Sequence, residues 1–105
     1  MLEIEEKAIQ KFYEFNDGLY EEFGGLMVRP GATIYEEDLL MFFYNTTQYV
    51  LTGDFSYMIV GHGGVIVDKA TLDLYETGSA YAPEYYINWF RKDRAAFDKM
   101  KPLSF

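Results

Sequence analysis

A chain of 105 residues, half of them hydrophobic and none of them cysteine, is long enough to bury one core without disulfides and has no thiolate to offer a metal. Its net charge of −8 counts against a nucleic-acid partner. The excess sits entirely in residues 1–54, where eleven Asp and Glu face three Lys and Arg, while residues 55–105 carry six of each.

A basic protein partner would be steered toward the acidic half, although the same carboxylates also suit a solvated face that keeps the chain soluble. The longest apolar run, Leu39 to Tyr44, is far short of the ~20 residues of a membrane helix, and the acidic start through Glu3, Glu5 and Glu6 lacks the apolar stretch of a signal peptide. These features predict one soluble, cytoplasmic domain over residues 1–105, with no membrane contact.

Ile4, Ala8, Phe12, Phe15 and Leu19 recur at three- and four-residue spacing with polar residues between them, which predicts an N-terminal helix ending between residues 17 and 23 near Asn16-Asp17-Gly18. From Leu26 the pattern shortens to strands. Leu26 to Arg29 and Ala32 to Glu36 read as one strand interrupted at Pro30-Gly31, placed at an edge because proline cannot donate to a ladder. Leu39 to Asn45 is the next. Phe55 to Val60, Gly64 to Asp68 and Leu72 to Thr77 follow, with connections too short for crossover helices, so the expected sheet is an antiparallel meander of about four to five strands.

Pro83 and Glu84 suit the first turn of a C-terminal helix whose apolar face is Tyr85, Tyr86, Trp89 and Phe90, with Arg91, Lys92 and Arg94 complementing its dipole. Asp93 to Met100 would extend it. Pro102 would stop it and leave residues 101–105 as a loose tail. The fold class expected is α+β, the C-terminal helix packed on one sheet face and both helices covering that same face.

Chemistry-bearing residues are few. His62, the single histidine, lies in Gly61-His62-Gly63-Gly64, which reads as a hairpin turn more readily than as an anion-binding nest, and no second ligand or nucleophile motif accompanies it. Glu36, Glu37 and Asp38 form a consecutive run in a turn without the alternating spacing of a calcium loop, and Asp54 stands alone. No catalytic residue, metal or cofactor is expected. Ten Tyr, nine Phe and one Trp make up 19% of the chain, and Tyr44, Tyr49, Tyr57, Tyr81 and Tyr85 gather near turns and strand ends, where amphipathic rings favour protein interfaces. The candidate partner-binding set is therefore Glu36, Glu37, Asp38, Tyr44, Tyr49, Asp54, Tyr57, His62, Tyr81 and Tyr85.

Leu40 to Asn45, Thr52-Gly53-Asp54, Val60 to Lys69, Tyr75 to Ser79 and Pro83 to Ile87 resemble successive blocks of the immunity protein 35 family, which includes the YrhB domain. The similarity spans about residues 26–92. It implies a small bacterial α+β protein that binds and neutralises a co-encoded toxin by occluding it, with chaperone-like or stress-related binding of the YrhB type as the alternative. This chain departs from the family pattern at Leu39-Leu40, where Gly-Trp is usual, at Gly61 to Gly64, where Gly-Asn-Gly-Pro is usual, and at Leu72, a usual turn-glycine position. The matching blocks are structural glycines, turns and core positions, so the resemblance implies a fold and a partner class without locating a binding surface.

Overall fold

The computed structural model describes residues 2–92. Its elements in chain order are α1 (Leu2–Phe15), β1 (Leu26–Val28), β2 (Ile34–Tyr35), β3 (Leu39–Phe42), β4 (Tyr44–Thr46), α2 (Thr47–Thr52), β5 (Val65–Asp68), β6 (Leu74–Glu76) and α3 (Pro83–Lys92), with short 3-10 turns at Glu21–Phe23 and Phe55–Tyr57. The class is α+β, with a helix at each end of the described chain and antiparallel sheets between. The expected extension over Asp93 to Met100, the stop at Pro102 and the tail 101–105 lie outside the described residues.

β2, β3, β5 and β6 form a four-stranded sheet in that order, every pair antiparallel. β3 and β5 are buried at every position, which is what apolar runs without alternation require when both faces of a strand are covered. One face packs Leu40, Phe42, Val65, Val67 and Leu74 against Ala8 and Phe12 of α1. The other packs Leu39, Met41, Ile66 and Tyr75 against Tyr86, Ile87 and Phe90 of α3. The two helices therefore lie on opposite faces, and the expectation that both cover one face is corrected.

Leu26 to Glu36 does behave as one interrupted strand. β1 pairs with β4 in register Met27 to Asn45, Arg29 N donates to Phe43 O at 2.7 Å, and β2 continues along β3 in register Ile34 to Met41. The partner breaks at Phe43, which divides the ribbon into a two-stranded piece and the edge of the main sheet.

Between β4 and β5 the expected order fails. Phe55 to Val60 is no strand: it holds a 3-10 turn and irregular backbone, so β5 pairs with β3 across residues 43–64 and the sheet is no simple meander. Side chains take the place of a ladder. Asn45 Oδ1 accepts from Ile59 N at 2.9 Å while its Nδ2 donates to Ile59 O at 3.1 Å, and Thr46 Oγ1 donates to Tyr57 O at 2.7 Å. Those bonds satisfy backbone groups that a strand would have paired with a neighbour. It follows that Gly61 to Gly64 is not the turn of a hairpin, since no strand precedes it.

α2 was not expected at all. Thr46 Oγ1 caps it by accepting from Tyr49 N at 3.1 Å, and Gly53 closes it at φ 74°, so a six-residue helix is held by its ends. α1 stops at Phe15, two residues earlier than expected, because Asn16 Nδ2 donates to the Phe12 carbonyl at 2.8 Å and Gly18 turns the chain at φ 87°. Phe15 and Leu19, expected on the buried stripe, are consequently 43% and 49% exposed. Leu72, at the turn-glycine position of the resemblance, adopts φ 64°.

Candidate functional site

The expected carboxylates prove to be mostly structural. Arg91 near the end of α3 donates from Nη2 to Glu36 Oε1 at 2.9 Å and to Asp38 Oδ1 at 2.7 Å, and from Nε to Asp38 Oδ2 at 3.0 Å. Lys69 donates from its ammonium to the Glu36 carbonyl and from its backbone N–H to the Asp38 carbonyl. The turn between β2 and β3 is thus clamped to α3 and β5. The Arg91 hydrogen bonds hold the Asp38 carboxyl below its ordinary range. Glu37 remains exposed between the two clamped acids. Asp54 accepts from Ser56 N at 2.9 Å and Ser56 Oγ at 2.8 Å, and those bonds, the backbone one foremost, lower its carboxyl while capping the turn at Phe55.

The tyrosines divide. Tyr44 is buried, and burial above all, with the hydrogen bond from its hydroxyl to Glu76 Oε2 at 2.7 Å, pushes that hydroxyl far above its ordinary range. It is a core residue that also lines a cleft wall. Tyr49 is half-buried beneath the Arg29 guanidinium, 5.7 Å from the ring centroid, and Tyr57 packs edge-on against Phe23 at 5.4 Å. Tyr81 and Tyr85 differ: both are exposed, and their rings stack at 4.2 Å and 24° with Trp89 edge-on to Tyr85 at 6.1 Å.

Residues 59–63 form a ridge between two clefts. His62 Nε2 lies 2.9 Å from the Tyr44 carbonyl, which can only accept, so Nε2 carries a hydrogen and donates it. The imidazole rests on the Tyr44 ring at 4.4 Å, and Nδ1 is buried with no partner among the described residues. Gly63 N donates to Thr77 O at 3.0 Å instead of facing an anion, and a Cβ on Gly63 would meet the Gly78 carbonyl oxygen at 2.1 Å. Only glycine lets the ridge approach the strand end this closely. Val60 crowns it with 75% of its surface exposed.

On one side of the ridge, a cleft of about 360 Å³ is bordered by Arg29, Phe43, Ser79, Tyr81, Pro83 and Tyr86. On the other, a cleft of about 320 Å³ is bordered by Phe15, Leu19, Tyr20, Leu26 and Glu76. Tyr44, Ile59, Val60 and His62 line both. Of the sequence-expected residues, the structure brings His62, Tyr44, Tyr81 and, by stacking, Tyr85 to this concave region; Glu36, Glu37, Asp38, Tyr49, Asp54 and Tyr57 line neither cleft. Val60, Phe15, Leu19, Tyr20 and Glu76 were missed. For Phe15 and Leu19 the signal was an apolar stripe that ran up to and past the helix stop, which left its last members without a face to pack on, whereas no sequence pattern singles out Val60, Tyr20 or Glu76.

Among the described residues no group of three or more His, Asp and Glu is placed to hold a metal, and no helix is long and apolar enough to cross a membrane. No family model matches the chain, and neither a curated protein nor a solved structure matches it.

Proposed function

We propose that this chain works by binding a protein partner, and that the partner is a co-encoded bacterial toxin which it neutralises in the cytoplasm by occlusion. The observation that carries the reading is the exposed Tyr81–Tyr85 stack with Trp89 beside it, at the border of the cleft under Val60. Exposed aromatic groups arranged next to a concave surface supply large contact area at little conformational cost, the composition expected of interface anchors. The resemblance to the immunity protein 35 family supplies the partner class, and the charge of −8 favours fast encounter with a basic one.

Co-expression with the product of a neighbouring toxin gene is the direct test. Protection of the cells, co-purification of the pair and loss of both in a Tyr81→Ser, Tyr85→Ser double variant are expected. Protection that survives the double variant would remove the stack from the interface, and failure of every neighbouring gene product to bind would remove the toxin.

A second reading, chaperone-like binding of many clients, draws on the spread of exposed apolar side chains: Leu51 and Phe55 stand away from both clefts at 69% and 75% exposure. Suppression of aggregation of an unrelated unfolded protein, without a stoichiometric partner, would favour it.

A further inference from the structure

On an acidic chain, the cleft on the α3 side of the ridge stands out by its charge. Among the described residues no Asp or Glu lines it, and Arg29 borders it. Arg29 is the one Lys or Arg between residues 12 and 68. Arg91 has its guanidinium committed to Glu36 and Asp38, whereas the exposed Arg29 head makes no ion pair and no side-chain hydrogen bond among the described residues. It rests over the Tyr49 ring at 5.7 Å, a contact that leaves its N–H groups without an oxygen acceptor.

Tyr86 is a second unused group in the same cleft. The residue is 4% exposed, and its hydroxyl has no hydrogen-bond partner among the described residues. Buried hydroxyls are ordinarily paired, so one left open beside a cavity is a place for a ligand's polar atom. The hydroxyl is within reach: a Cβ on Gly78 would stand 3.1 Å from its oxygen, and glycine there leaves it uncovered. His62 Nδ1 is sealed inside the protein without a partner, but the Tyr86 oxygen is not. Met41, Phe43, Met58 and Ile59 give the rest of the lining an apolar character.

A cation, an open hydroxyl and apolar side chains around about 360 Å³ complement a ligand that carries an anion and an apolar group close together. Asp and Glu side chains bring a carboxylate without apolar bulk. The last residue of a chain brings both, since its α-carboxylate and its side chain leave the same carbon. We propose that this cleft receives the C-terminal residue of the protein partner. Its carboxylate pairs with the Arg29 guanidinium, its main chain bonds the Tyr86 hydroxyl, and its apolar side chain lies against Met58 and Ile59. The proposal rests on the reading of the chain as a protein-binding module, and it names the group by which the partner is held. Tyr81, on the border of the same cleft, carries the contact outward to the stack with Tyr85.

The test is a titration of the full chain with N-acetyl-leucine, followed by amide NMR shifts. N-acetyl-leucine amide, which lacks the charge, and N-acetyl-glycine, which lacks the side chain, are the matched probes. Shifts centred on residues 29, 43, 58–64, 77–81 and 86 are expected, with the amide at least about tenfold weaker and the glycine compound at least about threefold weaker. Acetyl-glycyl-glycyl-leucine, which presents the same residue at a chain end, should bind at least as tightly as N-acetyl-leucine. Arg29→Gln should weaken N-acetyl-leucine by about tenfold, and Tyr86→Phe by about threefold without lowering the urea midpoint, because no intramolecular hydrogen bond is lost. Equal binding of the amide, shifts elsewhere, or indifference to both variants would each overturn the proposal. Exclusion of the peptide while N-acetyl-leucine binds would overturn it in favour of a small free carboxylate. The same variants separate it from the toxin reading: protection of cells that persists in both overturns the cleft alone, whereas carboxylate binding here without neutralisation of any neighbouring toxin leaves the cleft standing and overturns the toxin.

Discussion

β3 and β5 are buried along their whole length between α1 and α3, whereas residues 43–64, which join them, carry the most exposed large apolar groups among the described residues, Phe55 and Val60, on a backbone fixed by Asn45, Thr46 and Asp54. Apolar area holds the first region and a few directional bonds hold the second. Hydrophobic burial is non-directional and spread over many contacts, while a side chain that substitutes for a ladder carries its local structure almost alone. Such a division lets exposed groups stand on the joining segment without loosening the sheet.

The comparison breaks first at phenylalanine. Phe42 is fully buried and meets Phe12 edge-on at 5.2 Å, so Phe42→Ala should cost about 3–5 kcal/mol in urea unfolding. Phe55→Ala, at 75% exposure, should stay within about 0.5 kcal/mol. Equal effects would mean that the joining segment is packed as tightly as the sheet.

Next in size is Asn45. Replacing it by alanine leaves the Ile59 N–H and carbonyl without their side-chain partner, an expected cost of about 2–3 kcal/mol, with faster hydrogen exchange concentrated at residues 57–62. If exchange rises uniformly instead, the segment is not an independently held unit.

These two sites also explain what the sequence could disclose. The runs Leu39 to Phe42 and Val65 to Val67 announce buried strands because burial on both faces leaves a continuous apolar signature, and Pro83 announces α3 because its ring suits a first helical position. That burial on both faces also implies a second covering layer, an implication that places the helices on opposite sides. Phe55 to Val60 has strand composition and is not a strand, since what decides its path is a pair of bonds from Asn45 and Thr46, and nothing in the periodicity of either segment reveals them. α2 had a threonine cap and a glycine stop in view, but its six residues are too few for a helical period to show. The candidate site was half legible: His62, Tyr81 and Tyr85 follow from residue type and turn position, while the α1-side cleft needs Phe15 and Leu19 to be unburied, which depends on where α1 ends.

A smaller effect concerns the clamp on the turn between β2 and β3. Asp38's folded carboxyl lies below its ordinary value of 3.8, so its pairing with Arg91 stabilises the fold above that pH and is lost as pH falls through the depressed folded value. In Arg91→Ala, stability measured between pH 5 and pH 2 should therefore fall less steeply with acid than in the parent chain. A parallel acid slope would show that the exposed clamp is screened by solvent and contributes nothing measurable.

The smallest effect bears most directly on the joining region and its cleft. Tyr20 occupies a left-handed conformation at φ 54° that favours glycine, and its side chain is 39% exposed, so the contacts of a partly covered ring stand against a backbone cost of about 1–2 kcal/mol. Glycine removes that cost, while the lost ring contacts and the added chain entropy of the unfolded state oppose the gain, so Tyr20→Gly should be within about 1 kcal/mol of neutral. A scaffold residue would be expected to lose stability on such a truncation. Strain retained at an exposed aromatic residue is instead the pattern of a side chain kept for contact with something outside the fold. Unchanged or raised stability together with weaker partner binding would place Tyr20 with the ridge and its clefts; a loss above 2 kcal/mol would return it to the scaffold.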